Sequence, residues 1–331
     1  MIENVVPRSG SGTVADAPFI GAQSHETATE KARFMPPVLI MEGAGRDASH
    51  LRQFITAAGF ETVSVTDIDA VACQHGDYSI TVLASPFNPS VIESIVHSPP
   101  KPLREVPIVV VAADPLDKTA KVALQTGVAG IVPCSNVAVD LGRTLHAILP
   151  PHSAPAVDSS WRPLCYTIDN NPELIPLIVA QVQRRLEQWS LPDPLDLVRV
   201  IVALSESLEN ALYHGNLELS SDLRQGDGFA WRDESLRRRS SLPYRDRRIR
   251  FQADVSRTSA RFTIRDEGPG FNPWNLRDCT ESENLERCSG RGLHLMRMYM
   301  DDVQFNATGN EVVLVKHRPT ELNGELHPIR D

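Results

Sequence analysis

The stretch LSESLENALYHGN, Leu204 to Asn216, constrains the second half of this chain more than any other feature. Leu197, Ile201, Leu204, Leu208, Ala211 and Leu212 recur at spacings of three and four, which predicts one helix with an apolar stripe suited to packing on a sheet. Glu206, Asn210 and His214 recur every four residues on another side and form a polar column pointing away from that stripe. Such a column is either a solvated face or the wall of a site. Two downstream segments bear on the choice. In TIRDEGPGFNP, Thr263 to Pro273, an alternating strand (Arg261, Phe262, Thr263, Ile264) runs into Asp266, Gly268 and Gly270. A carboxylate followed by glycines is either a plain hairpin turn or a place where a ligand nears the backbone and a flat ring's amino group finds an acceptor. In SGRGLHLMRMYM, Ser289 to Met300, glycines open an amphipathic helix with Leu293, Met296, Tyr299 and Met300 on one side. The free N–H groups and dipole of such a helix start favour an anion such as phosphate.

In this order and at these separations the three segments resemble the N, G1 and G2 boxes of the GHKL ATPases, the superfamily of gyrase, mismatch-repair ATPases and two-component histidine kinases. The nearest likeness is to the anti-sigma-factor serine kinases of bacterial partner-switching systems. The run Tyr166-Thr167-Ile168, then Asn171-Pro172-Glu173 leading into a long helix, fits that branch. The resemblance covers roughly Arg162 to Lys316. It implies that Asn210 coordinates a Mg²⁺ ion bridging the phosphates of ATP and that Asp266 recognises the adenine amino group. Gly268 and Gly270 would let the loop pass close to base and ribose, while Gly290, Arg291, Gly292 and Leu293 would wrap the phosphates. Glu206 would be the general base toward a partner's serine hydroxyl, since in this branch a glutamate four residues before the metal-binding asparagine has that role; such a base contributes about 10²- to 10⁴-fold.

Two departures stand out. Members of this branch have a short connection after the N box, whereas Leu217 to Arg248 intervenes here. Leu217 to Arg250 holds nine arginines against six acidic residues, a local excess of three positive charges in a chain of net charge −9. This is either a docking surface for an acidic partner or a solvated insertion with a helix around Asp233 to Arg239. The final strand, Val312 to Lys316, is preceded by Asn310 and Glu311 where threonines are usual. Between the G1 and G2 boxes, Asn272 to Ser289 has the composition of a nucleotide lid, and Arg287 and Arg291 are candidate contacts to phosphate or partner.

Val38 to Leu149 alternates strands and helices: Val38–Met41, a helix over 48–58, Thr62–Val65, Ile80–Leu83, a helix near 91–97, Ile108–Val111, a helix near 118–126, Gly130–Val132 and a helix over 137–148. This βα repeat predicts a doubly wound parallel sheet. VPIVVVAADPLDKTAKVALQTGVAGIVPC resembles the second half of a response-regulator receiver, but the receiver's catalytic set is missing. Glu42 and Gly43 stand where an acidic pair belongs, no acidic residue lies between Asp77 and Glu93, and Cys134 replaces the lysine after the fifth strand. The resemblance therefore implies a pseudo-receiver that docks or dimerises.

The expected layout is a disordered segment 1–36, a flavodoxin-like domain 37–150, a linker 151–160, an ATP-binding α/β sandwich of the GHKL type over 161–317 with the insertion 217–248, and a polar tail 318–331. His25-Glu26 resembles a phosphoacceptor box, but Pro36 and Pro37 cut off the helix that such a box needs. With 41% apolar residues the chain can bury sizeable cores, and five cysteines lacking CxxC spacing fit reduced thiols. No run of about eighteen apolar residues and no signal-peptide pattern occurs, which predicts a cytoplasmic protein without membrane contact. The acidic balance argues against nucleic acid. The resemblance implies a Mg-ATP-dependent serine kinase acting on an anti-sigma-antagonist-like protein, with a sigma factor as a further partner and a homodimer allowed. The alternatives are a nucleotide-dependent binding switch without phosphotransfer and a histidine-kinase ATPase domain.

Overall fold

Short runs of β-branched and aliphatic residues make β1 (Val38–Glu42), β2 (Thr62–Val65), β3 (Ile80–Ala84), β4 (Ile108–Ala112) and β5 (Gly130–Pro133). β3, β4 and β5 are buried along their whole length, as unbroken apolar runs require. Helices α1 (Ser49–Ala57), α2 (Ile68–Ala72), α3 (Pro89–His97), α4 (Lys118–Thr126) and α5 (Gly142–Ile148) connect or follow them. All pairings are parallel, in the order β2-β1-β3-β4-β5. That is the flavodoxin-like doubly wound arrangement. Leu51, Ile55, Leu145 and Ile148 of α1 and α5 cover one face over Val38, Ile40, Val82 and Val109. Ile92, Ile95, Ala120 and Leu124 of α3 and α4 cover the other. The computed structural model describes residues 35–43, 49–66, 68–72, 77–84, 89–113, 116, 118–149, 162–188, 194–220, 223, 229–256, 258–272 and 291–318. The 151–160 linker, most of the lid and nearly all of the two terminal segments named above lie outside these residues.

The second half brings β6 (Leu164–Ile168), α6 (Leu174–Glu187), α7 (Pro194–Glu209), α8 (Phe229–Ser240), β7 (Ile249–Val255), β8 (Ser259–Arg265), α9 (Arg291–Tyr299), β9 (Asp302–Phe305) and β10 (Glu311–His317). Its strands pair antiparallel in the order β6-β7-β8-β10-β9. In β7 and β8 every second side chain is buried, Phe251, Ala253, Phe262 and Ile264 among them. These meet the apolar stripes of α6, α7 and α9 on one face, giving two layers. The alternate residues, such as Arg250, Gln252 and Thr263, form the polar opposite face.

The two halves share one ten-stranded sheet, because β6 lies parallel to β5 with Gly130 opposite Cys165 and Ile131 opposite Tyr166. Side chains reinforce the join. The Tyr166 hydroxyl donates to Val128 O at 2.9 Å, Arg250 Nε to Asp140 Oδ1 at 2.8 Å, and Leu116 N to Asp169 Oδ2 at 3.1 Å. Gln181 Nε2 donates to the Leu124 carbonyl, tying α6 to the end of α4.

At the C-terminal end of the parallel strands, Glu42 and Ala84 stand opposite each other in register and Cys134 is exposed immediately after β5. Ala84 offers no oxygen nucleophile. Among the described residues, no helix is long and apolar enough to cross a membrane.

Candidate functional site

The predicted single helix changes winding at its midpoint: α7 ends at Glu209 and Asn210–Asn216 continues as a π-helical segment. The apolar stripe is as expected, with Leu204, Leu208, Ala211 and Leu212 buried and Val200 and Ala203 added to it. π-Turns widen a helix locally and concentrate at functional sites. Here the change begins on Asn210. The polar column accordingly divides. Asn210 and His214 line a cavity of about 270 Å³, while Glu206 stands beside it, next to Gly292. His214 Nδ1 lies 2.7 Å from Leu219 O, and because a carbonyl only accepts, Nδ1 carries the proton.

The remaining walls come from four elements. β8 contributes Ile264 and, just past its end, Asp266; α9 contributes Gly292, Leu293 and Met296; β9 and β10 contribute Phe305 and Val312, with Asn310 and Glu311 at the strand start. Met296 Sδ is 2.8 Å from the buried Ser207 hydroxyl, which locks α9 against α7. A Cβ on Gly292 would sit 2.5 Å from Glu206 Oε2 and 3.4 Å from Asn210 Nδ2. The first turn of α9, with its free N–H groups, thus lies directly on the two side chains singled out for chemistry.

Asp266 is 8% exposed, and burial pushes its carboxyl up to about 6 from 3.8, opposed by hydrogen bonds from backbone N–H groups. Its Oδ1 accepts from Gly268 N at 2.8 Å. A Cβ on Gly215 would lie 2.4 Å from the Asp266 Cγ, and one on Gly268 would lie 2.2 Å from Gly215 O. The turn after β8 is therefore pressed flat against the end of the π-helical segment, and only glycines fit. Gly270 has φ +74° and lines the same cavity.

Asn210, Asp266, Gly270, Gly292 and Leu293 come together around one cavity, with Glu206 and Gly268 in direct contact with its walls. Arg291 begins α9; its side chain, Gly290, Arg287 and 273–289 lie outside the described residues. Sequence reasoning missed Asn216, which is 0% exposed. Its Nδ2 donates to Asn170 Oδ1 at 2.8 Å and its Oδ1 accepts from Glu267 N at 2.8 Å, holding the turn beside Asp266. Asn310, noted only as a departure, exchanges backbone bonding with that turn: its carbonyl accepts from Asp266 N at 3.0 Å and its Nδ2 donates to Asp266 O at 3.3 Å. An asparagine there supports the turn that carries Asp266. Neither role has a spacing signal in the sequence.

A buried acceptor on a cavity that a helix start and a carboxamide also line is chemically compatible with a nucleotide, whose ring edge would meet Asp266 and whose phosphates would meet α9. Residues 168–316, somewhat under half the chain, match the family model of the histidine kinase-like ATPase domain. A solved structure of the signal receiver domain of a signal transduction histidine kinase from Syntrophus aciditrophicus is also similar, at 14% identity over 37% of this chain and 99% of that one, with a TM-score of 0.28. No curated protein matches. The fold class is α/β throughout: a flavodoxin-like doubly wound sheet followed by a two-layer sandwich of the GHKL ATPase type. The part of the chain that matches this model is similar to an ATPase domain, a class of domain that binds ATP.

Proposed function

We propose that this chain is a Mg-ATP-dependent serine-protein kinase of the anti-sigma-factor type, acting in a partner-switching system. The observation that carries the reading is the contact of Gly292 with both Glu206 and Asn210, which sets a carboxylate and a carboxamide at the start of α9. A histidine kinase-like ATPase domain needs the asparagine for metal; the adjoining carboxylate adds a base for a hydroxyl nucleophile. ATP is the phosphoryl donor and Mg²⁺, when bound, neutralises charge on its phosphates.

The chain's own groups have separable tasks. Asp266, ionised above about pH 6, accepts the adenine amino hydrogen, and its enclosure by Gly215 and Gly268 keeps water from competing. Asn210 Oδ1 is a hard oxygen ligand suited to Mg²⁺. The first-turn N–H groups of α9 face phosphate oxygens. Glu206 takes the proton of the partner's serine hydroxyl as the Oγ–P bond forms and the bond to the ADP leaving group breaks. The substrate is an anti-sigma-antagonist-like protein, and the regulated regulator is a sigma factor or its equivalent. The cytoplasm, where ATP and such partners reside, is the compartment this reading requires.

Calorimetric titration with ATP, with and without Mg²⁺, tests the site. Wild type binds tightly only with Mg²⁺, Asn210→Ala abolishes the Mg²⁺ dependence, and Glu206→Gln binds ATP normally but leaves serine phosphorylation of an antagonist-like protein undetectable. Absence of binding by wild type removes the kinase reading, and unimpaired phosphorylation by Glu206→Gln removes the assigned base.

A further inference from the structure

Helix α8 is built inside out. Its inward side carries Ser235, which is buried, together with Glu234 and Arg238; its large apolar residue is Trp231, whose ring packs 4.6 Å from that of Tyr213 in the π-helical segment. Arg238 Nη1 donates to the carbonyls of Leu217 and Glu218 at 2.7 and 2.8 Å, and its guanidinium lies over the Tyr244 ring. The outward side carries Phe229, 68% exposed, and Leu236, 50% exposed, with Leu242, 63% exposed, just beyond the helix end. A helix that buries serine and exposes phenylalanine and leucine has the opposite pattern from one whose only role is to cover a core.

Charge is distributed to match. Residues 229–250 hold eight arginines and three acidic residues, Asp233, Glu234 and Asp246, so the excess is 8 − 3 = 5 positive charges in a chain of net charge −9. Several are engaged inward: Arg238 with Glu234, Arg247 with Glu218 at 2.7 Å, and Arg250 with Asp140 and Glu267. Arg232 makes no ion pair among the described residues, and Arg239 is half-buried and lies within electrostatic reach of Glu173. At positions i, i+3, i+7 and i+10, Phe229, Arg232, Leu236 and Arg239 form one stripe that alternates apolar and basic.

We propose that this stripe, extended by Leu242, is the docking surface for a partner protein that presents an acidic amphipathic helix. Its apolar side chains would cover Phe229 and Leu236 while its carboxylates meet Arg232 and Arg239. A second copy of this chain is disfavoured, because two-fold packing would bring the excess positive charge of one such patch against that of the other. Nucleic acid does not use exposed phenylalanine and leucine at helical spacing, and the net charge of −9 opposes it. The surface is anchored, through Tyr213 and Leu217, to the helix that bears Glu206 and Asn210. The inference rests on the kinase reading only in taking this partner to be the phosphorylated protein.

The test uses the full chain without nucleotide and a fluorescein-labelled synthetic helix with leucine and phenylalanine at every third and fourth position and glutamate elsewhere, followed by anisotropy. Saturable binding is expected. It weakens roughly tenfold when the peptide's glutamates become glutamines, and by a similar factor in Phe229→Ser/Leu236→Ser and in Arg232→Ser/Arg239→Ser. Leu242→Ser, outside the helix, weakens it to a smaller extent without touching α8. Asp266→Asn leaves it unchanged, so failure of the nucleotide site is read separately. The proposal is overturned by absence of saturable binding, by equal binding of the glutamine peptide, or by indifference to all three surface variants. It is equally overturned if single-stranded DNA displaces the peptide and depends on the arginines alone, or if Phe229 and Leu236 instead support self-association in sedimentation.

Discussion

Asp266→Asn should make this protein more stable at neutral pH while disabling its nucleotide site. The carboxyl is pushed up to about 6 from 3.8 chiefly by burial. At about 1.36 kcal/mol per pH unit, keeping it ionised in the folded state costs about 3 kcal/mol above pH 6. The folded state binds the extra proton between pH 3.8 and about 6, so this group's contribution to stability is fully present below that window and is lost as pH rises through it. Asparagine, neutral like the protonated carboxyl, retains an oxygen for Gly268 N. The variant should therefore exceed wild type by about 3 kcal/mol at pH 8, and the margin should shrink by about 1.5 kcal/mol at pH 5. Urea unfolding of both proteins across that range measures it, with other titrating groups cancelling in the difference. ATP affinity, followed in the same samples, should fall even as stability rises. A variant no more stable than wild type at pH 8, or a margin that does not change with pH, refutes the reasoning.

Gly292→Ala sets a methyl 2.5 Å from the end of the flexible Glu206 side chain, which can swing away; the fold and ATP binding should survive, while serine phosphorylation falls by about 10²-fold or more in a phosphotransfer assay. In Gly268→Ala the clash is with the Gly215 carbonyl, which cannot yield, so a loss of about 1–3 kcal/mol and a melting temperature several degrees lower are expected by calorimetry. Asn216→Ala strands the Glu267 N–H and the Asn170 Oδ1 in a buried site, costing at least about 2 kcal/mol in a urea midpoint measurement and weakening ATP binding with it.

Much of this architecture could be read from apolar spacing. Thr62–Val65 and Lys118–Thr126 fall where the pattern predicts, because period two and period three-to-four are imposed by burial itself. The short helix Ile68–Ala72 and the strand Asp302–Phe305 escaped notice, being too brief for a period to develop. The helix expected over 137–148 is π-wound as far as Leu141, and the Asn210 segment shows the same change; winding depends on how neighbouring elements load a helix, which local sequence does not encode. In the site, the residues with chemistry at fixed spacing, Glu206, Asn210, Asp266 and the glycines, were visible as candidates. Asn216 and Asn310 were not, since each acts by bonding to a backbone far along the chain. The helix placed around Asp233 to Arg239 runs from Phe229 to Ser240, and its inverted polarity emerges only once its neighbours are known.

The pairing of β5 with β6 also bears on how the protein can be divided. Cutting the chain between them leaves two unpaired strand edges, Gly130–Pro133 and Leu164–Ile168, each buried throughout in the intact protein. Exposed apolar edges of this kind template intermolecular β-pairing and aggregation. Either half expressed alone inherits that liability, and the smallest well-behaved piece of this protein is the one that keeps all ten strands.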